Sequence, residues 1–166
     1  MAIEHDYFGL LESGPDGSIF WSEVVDFGDQ RVTVDLTAPD QDDVSQAGLD
    51  AAASLISSLE QIDLRSRNAM VSELDDRTSE VTEYLLQQQD ELGDELEDVL
   101  VDISGDLHID MIRSLQLVSM TILADDLGGT DPFAVLEYAL DPEATDDVLL
   151  VNLASDGTVQ SVTSAD

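Results

Sequence analysis

The charge of this chain is the feature that most limits what it can fold into. Its 166 residues include 38 acidic and five basic ones, and the formal net charge is −33 at pH 7. Charge of this density usually indicates disorder, because such chains bury too little apolar surface to offset the entropy lost on folding. Here 43% of the residues are hydrophobic, and the acids are spread from Glu4 to Asp166 without forming a tail. The sequence therefore predicts a folded domain.

The absence of lysine points to adaptation to salt. The basic residues are all arginines, namely Arg31, Arg65, Arg67, Arg77 and Arg113. Self-repulsion destabilises a compact state of such high net charge in dilute buffer. At about 1 M ionic strength the Debye length falls to roughly 3 Å, so repulsion between surface carboxylates is largely screened. We expect a fold that needs molar salt. The alternative is an acidic surface that mimics nucleic acid or captures a basic partner. A fold that stays intact below about 0.1 M salt would favour this alternative.

Several locations and partners are disfavoured by the sequence. Residues 1–6 lack the basic and apolar regions of a signal peptide, and the nearly apolar stretch Leu115–Ala124 is too short to span a bilayer. The chain has no cysteine, which excludes disulfides and thiolate metal sites. Scattered arginines do not form the basic footprint that nucleic acid requires. We expect a cytoplasmic protein with a protein partner, no nucleic-acid or membrane partner, and no cofactor.

Three regions with different hydrophobic patterns follow one another along the chain. Residues 1–38 are predicted as strands, including Asp6–Leu11 and a β-hairpin that ends in the alternating segment Val32–Leu36. Residues 40–114 carry apolar side chains at helical spacing and predict central helices. Residues 115–163 are predicted as strands whose short connections favour an antiparallel β-meander. This order indicates a single α+β domain over residues 1–166, with the helices packed on one face of the sheet.

Strand-and-turn segments in the first and last thirds of the chain resemble a known family. They are Tyr7–Gly9, Trp21, Val32–Leu36, Glu137–Leu140, Thr145–Val151 and Ser155–Val159. Together they resemble the two ends of domain-of-unknown-function family two-thousand-and-four, an uncharacterised group of small α+β domains. The resemblance covers most of the chain, and the helical middle is its least specific part. It implies a fold, and it carries over no catalytic residue and no activity.

The acidic loop Asp125–Asp131 is the best local candidate for a cation site. Asp125, Asp126 and Asp131 are its candidate ligands, because hard cations bind several oxygens that converge from one loop. The loop lacks the spacing of an EF-hand, and acidic pairs arise by chance in so acidic a chain. A solvated loop is therefore the favoured interpretation. His5 and His108 are the only imidazoles, and we expect them as surface or capping residues rather than zinc ligands.

Phe20 and Trp21 are the candidate interaction residues. Adjacent side chains of a strand point to opposite faces, so one of the two must face away from the other. The favoured interpretation is that helices or the N-terminal segment cover both. The alternative is that the pair contributes to a partner surface. Arg65 and Arg67 are expected to form solvated ion pairs of small energetic value with the nearby acids Asp63 and Glu73.

No catalytic constellation is visible in the sequence. There is no Gly-x-Ser-x-Gly elbow, no cysteine nucleophile and no phosphate-binding loop with its lysine. The sequence therefore favours a non-enzymatic protein-interaction or accessory domain, and an immunity-like role against a toxin is one form of it. One alternative is a carboxylate-based enzyme or a domain that binds a small ligand or a metal. Another is an oligomeric structural subunit, such as a homodimer joined through an edge strand at Arg31–Leu36 or Thr158–Thr163.

Overall fold

A six-stranded β-sheet is the centre of the fold. The computed structural model describes residues 2–28, 30–101, 103–124, 132–144 and 146–165. The strands are β1 (Ala2–His5), β2 (Gly9–Glu12), β3 (Ile19–Phe27), β4 (Gln30–Ala38), β5 (Gln116–Leu123), β6 (Ala134–Ala139), β7 (Val148–Leu153) and β8 (Val159–Ala165). The α-helices are α1 (Gln46–Ser57), α2 (Leu59–Glu73), α3 (Glu80–Leu92), α4 (Leu96–Val99) and α5 (Leu107–Ser114).

Strands β3–β8 lie in the six-stranded sheet in the same order as in the chain. Neighbouring strands are antiparallel, except for β4 and β5, which are parallel. A parallel pair cannot be joined by a tight turn, and helices α1–α5 all lie in the long connection between β4 and β5. The predicted α+β class and the antiparallel C-terminal meander are confirmed. The parallel pair in the middle of the sheet was not predicted.

Side-chain caps determine where two of the longer helices begin. The Ser45 hydroxyl accepts a hydrogen bond from the Gly48 N–H at the start of α1, and Ser79 does the same for Thr82 at the start of α3. These bonds satisfy N–H groups that have no partner within the helix. Helix α3 ends at Gly93, whose φ of 53° lies in the left-handed region that glycine adopts without strain. None of the described helices is long and apolar enough to cross a membrane.

The helices cover one face of the six-stranded sheet. Side chains of β4 alternate between buried and partly exposed, and Val32, Val34 and Leu36 are completely buried. The same face of the other strands and the apolar stripes of the helices complete one hydrophobic core. Its largest fully buried members are Ile19, Leu49, Ile62, Met70, Tyr84, Leu85, Met111, Ile112, Leu115, Phe133 and Tyr138.

The N-terminal strands β1 and β2 form a separate two-stranded antiparallel sheet. The prediction of one strand over Asp6–Leu11 is wrong at its start, because residues 6–8 form the turn between β1 and β2. This small sheet packs against β3 through Phe8, whose ring meets the Trp21 ring edge-on at 4.8 Å between centroids. It is also tied to α1, because His5 Nε2 lies 2.8 Å from Asp50 Oδ1.

Strands β3 and β8 are the two edges of the six-stranded sheet. Strand β4 pairs with β3 on one side and with β5 on the other. The prediction of Arg31–Leu36 as an edge strand is therefore wrong. The other predicted edge, Thr158–Thr163, lies almost entirely within β8 and is an edge.

Candidate functional site

The face of the six-stranded sheet that points away from the helices carries the candidate site. The strand register places twelve of its side chains in two rows that cross all six strands. None of the twelve is buried. We call this surface the open face. One row consists of Ser22, Asp35, Thr121, Val135, Asn152 and Ser161, and the other of Val24, Thr33, Ser119, Glu137, Leu150 and Thr163.

The open face is sparsely charged for so acidic a chain. Of the twelve side chains in the two rows, Asp35 and Glu137 are acidic, and the other ten are uncharged, mostly hydroxyl or aliphatic. Beyond these rows, at the end of the β3–β4 hairpin, Asp26 and Arg31 lie on the same face as an opposite-charge pair 3.9 Å apart. The Ser119 hydroxyl donates a hydrogen bond to Glu137 Oε2 at 2.8 Å, so one of the two carboxylates is already engaged on the surface. Interfaces between proteins have cores depleted in charged residues. The composition of the open face therefore fits a contact surface.

Phe20 and Val24 are the most exposed large apolar side chains of this sheet. Phe20 is 67% exposed and Val24 is 56% exposed. The register pairs Phe20 with Thr37 and Val24 with Thr33, so both side chains lie on the open face. The favoured sequence interpretation, in which both aromatic residues of the Phe20–Trp21 pair are covered, is wrong for Phe20.

Trp21 points to the opposite side of β3, where the N-terminal sheet packs. Its ring lies 4.8 Å from the Phe8 ring and 6.2 Å from the Tyr7 ring, and its side chain is partly buried against the core. The N-terminal segment therefore covers Trp21, as one of the sequence interpretations expected. The structure separates the two candidate interaction residues and leaves Phe20 on the open face.

The candidate cation ligands Asp125, Asp126 and Asp131 lie outside the described residues. Among the residues that are described, no group of three or more histidine, aspartate or glutamate side chains is placed to hold a metal ion. His108 is partly buried and its Nε2 lies 2.9 Å from the side-chain oxygen of Gln89. Among the described residues, His108 and the carboxylates therefore do not form a set of metal ligands.

His5 was expected as a surface or capping residue, and the structure shows it as a buried capping residue. Its Nδ1 accepts a hydrogen bond from the Tyr7 N–H, so the histidine caps the turn between β1 and β2. With Nδ1 acting as acceptor, Nε2 is the nitrogen that donates to Asp50. Both ring nitrogens are therefore engaged in holding the N-terminal sheet to α1.

Arg67 joins three parts of the chain in a partly buried cluster. Its Nε donates to both oxygens of Asp63 at 3.0 and 3.1 Å. Its Nη1 and Nη2 donate to the carbonyls of Ile112 and Leu115 at 2.6 and 2.7 Å, which ties α2 to the C-terminal end of α5 and to the residue that follows it. The guanidinium lies over the Tyr138 ring, 5.3 Å from its centroid.

The Asp63–Arg67 pair forms as expected, but it is not solvated. The two side chains are only 16% and 18% exposed, and the Tyr138 hydroxyl donates to Asp63 at 2.7 Å. Because these groups are satisfied by one another, the cluster is structural. The spacing of Asp63 and Arg67 predicts the ion pair, and nothing in the sequence indicated the carbonyls of Ile112 and Leu115.

The two buried tyrosines hold their protons at neutral pH. Burial raises the pKa of Tyr84 to about 12, and its hydroxyl accepts the Leu140 N–H at 3.1 Å. Burial, together with the charge of Asp63, raises the pKa of Tyr138 far above its ordinary value. Both hydroxyls are engaged inside the fold, Tyr84 with the Leu140 N–H and Tyr138 with Asp63, and they serve there as structural hydrogen-bonding groups.

A broad groove of about 670 Å³ lies between α2 and the turn from β7 to β8. Arg65 supplies its positive charge, opposite Asp156. A hydrogen bond from Thr158 lowers the pKa of Asp156, and the charge of Arg65 lowers it further. The groove therefore carries one cation together with an acid of its own chain.

A second exposed apolar segment lies between α4 and α5. Val101 and Ile103 are each 76% exposed. The Ser104 hydroxyl donates to Asp110 Oδ1 at 2.6 Å, and the Val101 N–H donates to the Ser114 hydroxyl at 2.9 Å, so the segment is held in place. It is shorter and less continuous than the open face, which spans six strands.

No family model, curated protein or solved structure matches this chain. The resemblance to domain-of-unknown-function family two-thousand-and-four stays a prediction. Sequence reasoning missed Val24 and the two rows of the open face. The signal was present in β3, where apolar residues occur on both faces, with Phe20 and Val24 on one and Trp21 and Val25 on the other.

Proposed function

We propose that this chain is a non-enzymatic protein-interaction domain, adapted to the salt-rich cytoplasm of a halophile, and that it binds a partner protein on the open face. The observation that supports this function is the exposure of Phe20 and Val24 on a sparsely charged sheet surface. The two side chains lie on the same face of β3 with Ser22 between them, and exposed apolar groups rimmed by polar residues are typical of contact sites.

The shape and charge of the open face favour a protein as the partner. Small molecules bind in concave pockets, whereas the open face is the surface of a sheet. Nucleic acid would be repelled by a chain of net charge −33. The hydroxyl groups of the two rows offer donors and acceptors around the apolar side chains of Phe20 and Val24. A partner with an uncharged, aliphatic and hydroxyl-rich surface would match them without burying unpaired charge.

Site-specific photocrosslinking tests this function. A photoreactive phenylalanine analogue replaces Phe20 in one variant and Leu64 in a control, because Leu64 is 62% exposed on α2 and lies away from the sheet. The variants are incubated in native extract at about 2 M KCl, where screening is strong. We expect a discrete adduct with another protein from position 20 and none from position 64. Equal labelling from both positions, or an adduct only from Ile103 in a third variant, would contradict the proposed site.

The salt adaptation has its own test. We expect far-UV circular dichroism to report a folded protein above about 1 M KCl and a loss of structure on dialysis below about 0.1 M, because the Debye length rises from roughly 3 Å to about 10 Å and repulsion between the carboxylates is then poorly screened. A domain that stays fully folded through this dialysis would instead support the alternative, in which the acidity serves recognition of a basic partner.

A further inference from the structure

Strand β3 has a free edge that is long and regular, and its charged side chains are Glu23 and Asp26. It pairs with β4 over all nine residues without a bulge. It contains neither proline nor lysine, the residues that commonly protect edge strands. Among the described residues, backbone pairing on its outer side is limited to the first position, where Ser13 forms an isolated bridge with Ile19, and β2 packs near this end of the strand. Residues Trp21–Phe27 therefore present unpaired backbone donors and acceptors among the residues that the structure describes.

The other edge strand, β8, is better protected. Its pairing with β7 shifts register between Asn152 and Leu153, and such irregularities bend an edge strand away from further pairing. Helices α2 and α3 also contact it, and the Ser164 N–H donates to Glu80 Oε1. The sheet therefore has one edge that is open to a further strand.

Three symmetric antiparallel registers would pair at least seven of the nine residues of β3 with a second copy, and one of them fits the side chains. Symmetric pairing centred on Glu23 would set Glu23 against itself and Phe20 against Asp26. Pairing centred on Ser22 would bring Val25 of the partner to Ile19, where Ser13 already sits. The register centred on Val24 avoids both conflicts, and like charges directly opposite one another are known to be destabilising.

The register centred on Val24 also matches the side chains. Val24 faces Val24 of the second copy on the open face, and Ser22 faces Asp26. On the other side, Trp21 faces Phe27 and Glu23 faces Val25. Aromatic pairs and pairs of β-branched residues stabilise cross-strand contacts. No carboxylate is opposite another carboxylate in this arrangement.

We infer that this chain forms a homodimer by antiparallel pairing of β3 with β3 of a second copy, with the twofold axis at Val24. An axis at this position runs perpendicular to the sheet, so the two open faces lie side by side on one continuous twelve-stranded surface. The inference rests on the backbone edge of β3, and Val24 is the open-face residue that it shares with the proposed function. It stands whether or not the proposed protein partner exists.

Cysteine scanning tests the register directly. The chain has no cysteine of its own, so any disulfide reports the introduced position. Directly opposed residues of antiparallel strands have Cα atoms about 4.5–5.5 Å apart, within the range of a disulfide. We expect Val24→Cys to form a covalent dimer under mild oxidation in about 2 M KCl. Ser22→Cys alone should not, because its own copy lies four residues away along the strand, about 13 Å. A mixture of Ser22→Cys and Asp26→Cys should cross-link.

Sedimentation equilibrium measures the same dimer without oxidation. Because small interfaces bind weakly, the measurement needs a high protein concentration. At roughly 100 µM protein we expect the wild type to be dimeric. Val24→Glu should weaken the dimer by at least about tenfold, because it opposes two carboxylates at the twofold axis. Ser161→Glu adds the same charge to the other edge strand and should leave the dimer unchanged. Circular dichroism checks that each variant is folded. A monomeric wild type, or a Val24→Cys variant that cross-links no faster than Ser22→Cys, would overturn the inference.

Discussion

Replacing Arg67 with methionine tests whether the cluster around this side chain holds the fold together. Methionine keeps most of the length and packing of arginine but removes every donor. The substitution leaves Asp63 without its cation and leaves the carbonyls of Ile112 and Leu115 without the donors that now lie 2.6 and 2.7 Å away. Removing one partner of a buried ion pair lowers the free energy of unfolding by about 3–5 kcal/mol.

The expected loss lies at the lower end of this range. Arg67 and Asp63 are 18% and 16% exposed, so water can partly replace the lost donors. We therefore expect about 3 kcal/mol, which is a large part of the 5–15 kcal/mol typical of a domain. With a urea m-value of about 1–3 kcal/mol per molar, the unfolding midpoint should fall by about 1–3 M. Urea unfolding followed by far-UV circular dichroism in molar KCl measures this shift.

Arg77→Met is the matched control, because Arg77 is exposed and the substitution removes the same charge. It should change the free energy of unfolding by less than about 0.5 kcal/mol. Arg67→Lys keeps the charge but loses the fork of donors, and it should fall between the two. If Arg67→Met and Arg77→Met have equal effects, or if the Arg67 effect disappears between about 1 and 4 M KCl, the cluster is a screened surface pair and the reasoning fails.

Three further predictions concern stability and exposure. Burial, with the charges of Glu80 and Asp76, raises the pKa of Glu73, so the folded state binds more protons than the unfolded one and stability falls as pH rises through this pKa. We therefore expect Glu73→Gln to stabilise the domain at pH 7 by up to about 1 kcal/mol, a small value because Glu73 is partly exposed to solvent. Urea titrations near pH 3 should show no such gain. Gly157 has a φ of 86°. Gly157→Ala should therefore destabilise the domain by about 1–2 kcal/mol through backbone strain. Thermal unfolding measures this change, and an unchanged midpoint would contradict the prediction. Iodide should quench Trp21 fluorescence clearly less than free indole, and equal quenching would contradict its packing under Phe8.

The fold class could be predicted because it depends on local patterns. Alternation of apolar residues in Val32–Leu36 and helical spacing in the middle of the chain fix the type of each element. The parallel pairing of β4 with β5 could not be predicted in this way. It joins Thr33 to Ser119 and Leu36 to Ile122, residues more than 80 positions apart, and no turn motif specifies such a pairing.

The candidate site shows the same limit. The sequence requires Phe20 and Trp21 to point to opposite faces, but it does not say which of the two faces is covered. That depends on Phe8, which the N-terminal sheet brings over Trp21 from a separate part of the chain. Similarly, the i to i+4 spacing predicts the Asp63–Arg67 pair, whereas its burial depends on Tyr138, which lies 75 residues further on.

The parallel pair in the middle of the sheet has a consequence for how the chain reaches its folded state. The β3–β4 hairpin and the β5–β8 meander are each local, but their union must close a loop that contains every helix. Closing long loops slows folding, and until then the inner edges of β4 and β5 stay unpaired and prone to aggregate. The salt that screens the finished domain also removes the repulsion between such half-folded chains. At fixed protein concentration, the yield of refolding should therefore fall as KCl rises from about 1 to 4 M, even while the folded state becomes more stable.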